Sequence, residues 1–300
     1  MLKVAWSPVY AYALPEGHRF PMVKYELLPE QLLYEGTLSE TNFFQPTRMG
    51  ESDILLTHTS AYWESLINQT LSPKAIRKIG FPMTEKLVDR GRYIAQGTFE
   101  CAKYALEYGC ALNIAGGTHH AFADRGEGFC VFNDIALASN MLLSEGRIKK
   151  ILVIDLDVHQ GNGTASIFKA DDRVFTLSLH GEKNYPVRKE NSNLDIGLPD
   201  GMTDRPYLDI LHKMLEETLD KFEPEFIFYL SGVDVLGSDL LGRLNLSMQG
   251  CKERDRIVLE ACHRHQIPVA VSMGGGYSAQ LKDIIEAHAN TYRLAMNLYG

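Results

Sequence analysis

Three residues able to do chemistry alternate along one short stretch. In Lys150–Gly163, K-I-L-V-I-D-L-D-V-H-Q-G-N-G, Asp155, Asp157 and His159 are interleaved with Leu156 and Val158. In an extended chain, residues i, i+2 and i+4 point to one side, so two carboxylates and an imidazole converge. Left unpaired, the carboxylates repel one another. A bound divalent cation removes that cost and is the simplest reason to place them together. The competing use is a solvated acidic loop that caps the next helix. The preceding run Ile151–Ile154 reads as a strand covered on both faces. The trio therefore sits at a strand's carboxyl end, where open α/β sheets bind ligands.

Three further places repeat that layout. In I-A-G-G-T-H-H-A-F (residues 114–122) an apolar strand empties into two glycines and then His119 and His120. A glycine-released turn lets both rings enter one cavity, and imidazole suits general acid/base work near neutral pH. Alone, the pair fits a metal ligand, a buried hydrogen-bonded histidine and a catalytic base equally well. In F-I-F-Y-L-S-G-V-D (residues 226–234) a strand ends in Ser231-Gly232 and then Asp234, a candidate third ligand whose plainer role is a cap or turn. In V-A-V-S-M-G-G-G-Y (residues 269–277) a strand ends in three glycines, Gly275 among them, and then Tyr277. No phosphate-cradling glycine pattern is present there. Two Asp and one His can hold a cation with an open position. The histidines and Tyr277 supply proton transfer and oxyanion stabilisation. Together these predict a metal-assisted hydrolase.

The elements that must position these residues alternate regularly. Strands are expected at Leu2–Trp6, Asp53–Leu56, Ala111–Ala115, Ile151–Leu156, Val174–Leu179, Phe226–Leu230 and Val269–Ser272. Helices are expected at Met22–Tyr34, from Thr59 or Ser60 to Asn68, from a Thr84 cap to Gly109, and at Asn133–Glu145, Thr164–Lys169, Arg205–Phe222, Met248–His265 and Gln280–Leu298. Lys74–Met83 and Gly181–Gly201 read as loops, the second a surface excursion beside the site. Strands alternating with helices predict a parallel sheet with helices on both faces. No repeat or linker divides the chain, so one catalytic domain over residues 1–300 is expected.

Bulk composition sets outer bounds. With 300 residues, 45% hydrophobic and 23% charged, the chain has the make-up of a globular protein. A net charge of −8 with scattered Lys and Arg argues against nucleic-acid binding and against a membrane-surface patch. The amino terminus lacks the apolar core of a signal peptide, and no run reaches transmembrane length. Five cysteines with no C-x-x-C fit reduced thiols and a cytoplasmic location, with Cys130 a small buried hydrophobe near the site.

The ordered motifs G-G-T-H-H-A, G-E-G-F-C-V-F-N-D, D-L-D-V-H-Q-G-N-G, L-S-G-V-D and G-G-G-Y resemble those of the zinc-dependent histone deacetylase family over nearly the whole chain. E-G-H-R-F-P-M-V-K-Y, Asn162 and the compact length resemble its bacterial and class IV-like branch. The resemblance implies the arginase/deacetylase-like α/β fold, three layers with a mostly parallel eight-stranded sheet. It implies that Asp157, His159 and Asp234 bind zinc, that His119 and His120 activate water and protonate the leaving amine, and that Tyr277 hydrogen-bonds the acyl oxygen. It further implies that Asp155 orients the first histidine and joins a potassium or sodium site with Ser178 and the carbonyls of Asp157, His159 and Leu179. Gly128, Phe129 and Tyr185 match walls of an acyl-lysine tunnel, Leu241 its rim, Gly275 a substrate contact, and Arg19 an arginine near an inner acetate-release cavity.

Two departures stand out. Many family members pair the second histidine with an aspartate, where this chain has Asn162. Many eukaryotic members carry an acidic residue before the long helix, where this chain reads K-I-G-F-P-M. The implied reaction frees an amine from an acylated lysine of a protein or from an acylated small amine, with zinc or ferrous iron as the metal. A dimanganese ureohydrolase of the same fold needs a further carboxylate where Leu236 stands. A silent acyl-lysine binding module would not need the complete set of ligands, histidines and tyrosine.

Overall fold

Parallel strand pairing runs through the whole sheet of the computed structural model, which describes residues 1–300. The strands are β1 (Lys3–Ala5), β2 (Phe43–Phe44), β3 (Cys110–Asn113), β4 (Ile151–Asp155), β5 (Val174–Gly181), β6 (Leu194–Leu198), β7 (Phe226–Leu230) and β8 (Val269–Ser272). Their order is β2-β1-β3-β8-β7-β4-β5-β6. The central strands β3, β4, β7 and β8 are buried at every position, as strands covered on both faces must be.

The helices are α1 (Lys24–Tyr34), α2 (Glu51–Ile54), α3 (Ser60–Ile67), α4 (Pro73–Ile79), α5 (Glu85–Tyr108), α6 (Asp134–Ser144), α7 (Asn162–Phe168), α8 (Asp204–Phe222), α9 (Met248–His265) and α10 (Leu281–Tyr299). Helices α8, α9, α10 and α1 pack in a row, while α5 packs on β3, β8 and β1 and carries α6 and α3. The result is three layers around one cluster of 82 buried residues. No helix is long and apolar enough to cross a membrane.

Register decides what the site receives. Asn113 of β3 lies opposite Ser272 of β8, Ser272 opposite Leu230 of β7, and Leu230 opposite Asp155 of β4. One row of strand-end residues thus crosses four adjacent strands. The loops that leave it carry His119 and His120, Tyr277, Asp234, and Asp157 with His159.

Several local expectations are corrected. Asp53–Leu56 is not a strand: Glu51–Ile54 is the short helix α2, and only Ile54 is buried there, so its brief apolar run had no sheet to enter. Lys74–Met83 is mostly helix α4, whose signals are complete in the chain. Ser72 accepts from the Ala75 N–H at 3.2 Å, Pro73 opens the helix, and Gly80 closes it at φ 84°. The Gly181–Gly201 excursion contains β6, whose alternating burial marks an edge strand on β5. The pair Phe43–Phe44 adds β2 beyond β1. Helix α7 starts at Asn162 rather than Thr164, with Gly161 as its cap.

Candidate active site

Past β4 the chain stops being extended. Asp155 turns toward the His119 loop while Asp157 and His159 turn toward β7. Asp157, His159 and Asp234 bring one ligand atom each within 4.8 Å of one another. His159 Nδ1 is 3.0 Å from Asp157 Oδ1 and 3.2 Å from Asp234 Oδ2. Backbone N–H groups aim the carboxylates: Val158 donates to Asp234 Oδ1, His159 to Asp157 Oδ1 and Gly275 to Asp157 Oδ2, at 2.9–3.0 Å. Gly275 is required by closeness, since a Cβ there would overlap Asp234 Oδ2.

The electrostatics of this trio call for a cation. Asp157 and Asp234 are 2% and 0% exposed. Burial and the neighbouring Asp157 charge push Asp234 up. Burial also opposes charge on His159, but hydrogen bonds to Asp157 and Asp234 outweigh it and lift the ring to about 10. Two buried carboxylates this close to one imidazole favour positive charge among the three ligand atoms. A divalent ion supplies that charge, and an Asp₂His set leaves a coordination position open. The residues present fit such an ion.

Both histidines of the β3 loop face this trio, with ring centroids 4.1 Å apart. The amide oxygen of Asn162 only accepts, so His120 donates Nδ1–H to Asn162 Oδ1 at 2.6 Å and Nε2 is left without a proton. His119 donates Nδ1–H to Asp155 Oδ2, also at 2.6 Å. The two rings separate accordingly. Burial disfavours charge on both. On His119 the Asp155 and Asp157 charges prevail and raise it to about 9. On His120 burial, together with the neighbouring histidines, holds the ring well below the usual range.

Tyr277 closes the far side, its ring 6.5 Å from that of His159. Its backbone N–H donates to Asp239 Oδ2 at 2.6 Å. Asp239 Oδ1 accepts from the N–H groups of Leu241 and Gly242, so one carboxylate ties the tyrosine to the rim. Burial raises the Tyr277 hydroxyl well above its ordinary value, keeping it a donor.

A cleft of about 760 Å³ leads from solvent to these groups. His119, His120, Asp157, His159, Asn162, Gly128, Phe129, Tyr185, Leu241, Gly275 and Tyr277, all expected from the sequence, line it. Phe129 is held in the left-handed region at φ 67°, a conformation costly for an aromatic residue and met mainly at functional sites. The Tyr185 ring stands perpendicular to His120 at 4.9 Å. Asp155 lies behind His119, and Ser178 is its register partner on β5, with Leu179 next in that strand.

Arg19 is corrected. It is exposed at the mouth, its guanidinium 5.1 Å from the Phe129 ring centroid, rather than at an inner cavity. Its neighbours explain this: His18 is held by the Gly80 carbonyl and Phe20 packs inward on Phe129 and Tyr277, leaving Arg19 to face outward. Buried Arg90, Tyr25 and Ile94 line the same cleft.

Three supporting residues carried no sequence role. Asp134 accepts from the N–H groups of Gly117 and Thr118 (3.1 and 2.7 Å) and from the hydroxyls of Thr98, Thr118 and Ser272, fixing the turn before the histidines. It stands in the quoted F-N-D, so its signal was in view. Asp239 lies just beyond L-S-G-V-D and had the same kind of signal. Fully buried Arg254 bonds to the carbonyls of Leu156, Ser231 and Gly232 and to Asp255, locking the ends of β4 and β7 together. Nothing in the polar run K-E-R-D-R marks it as buried.

The sequence and the fold are similar to those of known proteins. The model of the histone deacetylase domain matches residues 18–292. An uncharacterized protein of Picosynechococcus sp. is 42% identical over 296 residues, covering 99% of both chains. Histone deacetylase 2 of Arabidopsis thaliana is 33% identical over 270 residues, covering 87% of this chain and 70% of that one. The crystal structure of an HDAC homolog complexed with SAHA superposes with a TM-score of 0.83 at 28% identity, covering 98% of this chain and 82% of the other. That of an HDAC homolog from Aquifex aeolicus gives 0.83 at 27%, covering 97% and 82%. A family model that spans residues 18–292 and a relative 33% identical over 87% of this chain show that the chain belongs to the histone deacetylase family.

Proposed function

We propose that residues 1–300 form one catalytic unit, a metal-dependent amidohydrolase that removes an acetyl or longer acyl group from a lysine side chain, with zinc as the metal. The observation that carries this is the buried Asp157–His159–Asp234 trio, with the His119/His120 pair beside it at the end of an open cleft. A divalent ion bound there supplies Lewis acidity to the acyl carbonyl and to water. His120 Nε2 takes the water's proton as the oxygen attacks the acyl carbon, because Nδ1–H is committed to Asn162. Tyr277 donates its hydroxyl to the developing oxyanion. As the C–N bond breaks, His119, kept protonated by Asp155 behind it, gives its proton to the departing amine. The products are the free amine and the carboxylic acid; the proton left on His120 passes to solvent and His119 takes one back from solvent, which restores the starting pair. Gly128, Phe129, Tyr185, Leu241 and Gly275 border the acyl-lysine path. A potassium or sodium ion held by Asp155, Ser178 and the carbonyls of Asp157, His159 and Leu179 is supported by the direct Asp155–Ser178 register pairing.

The test is metal content and turnover together. The wild-type chain is expected to carry one divalent ion and to deacylate an acyl-lysine peptide. The Asp157→Ala/His159→Ala/Asp234→Ala variant should lose both while staying folded. Stoichiometric metal in that variant, by elemental analysis, sinks the ligand assignment.

A further inference from the structure

The chain as a whole is acidic, with a net charge of −8, but the mouth of the cleft is not. Arg19, Lys78, Arg125, Lys183, Arg188 and Arg243 all line it. The carboxylates of the same lining, outside the ligand trio, are Glu127 and Glu190. Glu127 is only 7% exposed and is taken up internally, accepting from Lys78 Nζ (3.0 Å), Arg125 Nε (2.9 Å) and the Tyr185 hydroxyl (2.6 Å). Lys183 and Arg243 share the single carboxylate of Asp200, at 3.9 and 3.2 Å. No carboxylate lies within ion-pair distance of Arg19 or Arg188. Arg125 also pairs with Asp124, at 2.9 Å. Set against Glu127, Glu190, Asp124 and Asp200, the six cations leave an excess of two positive charges at the entrance, and Arg19 and Arg188 are the unpaired ones.

A cleft lined by one sign of charge concentrates ligands of the other and repels its own. Polyamines and lysine-rich tails are therefore the wrong complement. Lys78 comes from helix α4 and the other five from loops; Lys78 and Arg125 meet at Glu127, Lys183 and Arg243 at Asp200, and Arg19 and Arg188 stand apart from both pairs, so the cations occupy several points of the lining rather than one. One small anion cannot meet them all, whereas an extended segment with several carboxylates can. Val187, 99% exposed and also in the lining, offers such a segment an apolar contact between Tyr185 and Arg188.

We propose that the preferred substrate is an acylated lysine embedded in an acidic peptide segment, whose Asp and Glu side chains dock on this cationic rim. The inference rests on the amidohydrolase reading above. The experiment uses the metal-loaded full chain and three peptides alike except that the acetyl-lysine is flanked by glutamates, by serines or by lysines. Nε-acetyl-lysine and an acetylated diamine are included as small substrates. The glutamate peptide should exceed the lysine peptide by about tenfold or more in kcat/KM at low ionic strength, mainly through KM, and the gap should shrink at about 0.5 M salt. Lys183→Glu/Arg188→Glu, at exposed positions, should narrow or invert the order. Equal rates for the three peptides, a better lysine peptide, or a faster acetylated diamine overturns the proposal. Nε-acetyl-lysine outperforming the glutamate peptide overturns the peptide assignment in favour of a small amino-acid-sized substrate. Absence of turnover on every acyl-lysine substrate overturns the amidohydrolase reading instead. Fluorescence anisotropy of the same peptides over the same salt series then decides the charge preference separately: tighter, salt-sensitive binding of the glutamate peptide upholds it, and equal binding ends it.

Discussion

Asn162 Oδ1 accepts the Nδ1–H of His120 at 2.6 Å, while the neighbouring His119 gives its Nδ1–H to the carboxylate of Asp155 at the same distance. Two adjacent histidines are thus backed by partners of different charge. A neutral amide fixes a tautomer without favouring the imidazolium, whereas a carboxylate does both. Asn162 is the first residue of α7, and Gly161 holds the cap position, so helix capping does not account for it.

Asn162→Asp should raise the His120 pKa by about one unit. A base works only when unprotonated, so the acid limb of the pH–kcat/KM profile should move to higher pH by a similar amount. Movement of the alkaline limb alone would make His120 the proton donor. Superimposable profiles at saturating metal would remove Asn162 from the proton chemistry.

Tyr277→Phe deletes one hydroxyl and keeps the ring that packs against Phe20 and Phe129. Loss of one oxyanion donor typically lowers kcat by ~10²–10³. Metal content and melting temperature should match wild type. A kcat within about threefold of wild type would show that the hydroxyl does not face the oxyanion.

Arg254→Met should destabilise the fold by about 3–5 kcal/mol, because it strands buried Asp255 and frees the Leu156, Ser231 and Gly232 carbonyls. Metal should also bind more weakly, since those carbonyls flank the turns that carry Asp157 and Asp234. Urea unfolding checks the first effect and metal competition the second. A loss under about 1 kcal/mol would mean the strand ends hold their register without the guanidinium.

His58 supplies a pH effect away from the metal. It donates Nδ1–H to the Phe122 carbonyl (3.0 Å) and accepts from the Asn133 N–H at Nε2 (3.1 Å), so the buried ring must be neutral. Burial pushes it down to about 4, against about 6.5 in the unfolded chain. The folded value is the lower one, so this contribution is complete above about pH 6.5 and is lost as pH falls toward 4. Its size is at most about 3 kcal/mol. Urea unfolding of wild type and His58→Gln across that window should converge as pH falls. Parallel stability curves would clear His58 of the effect.

The sequence by itself determined the strands β1, β3, β4, β5, β7 and β8, the long helices, and the candidate site residues Asp157, His159, Asp234, His119, His120 and Tyr277. These were legible because their signals are local: an apolar run, a cap, a glycine turn and a chemical side chain lie within about ten residues of each other. Motif order then indicated the family. Tertiary structure alone decided how those pieces meet. The Asp155–His119 and Asn162–His120 pairings bridge 36 and 42 residues, and the Arg254–Leu156 contact bridges 98. Each depends on the order β3-β8-β7-β4 and on a register that no single segment encodes. The same holds for Arg19, turned outward by the packing of its neighbours, and for the cationic mouth. Its Lys and Arg residues look scattered along the chain and line one cleft only when helix α4 and separate loops come together beside it.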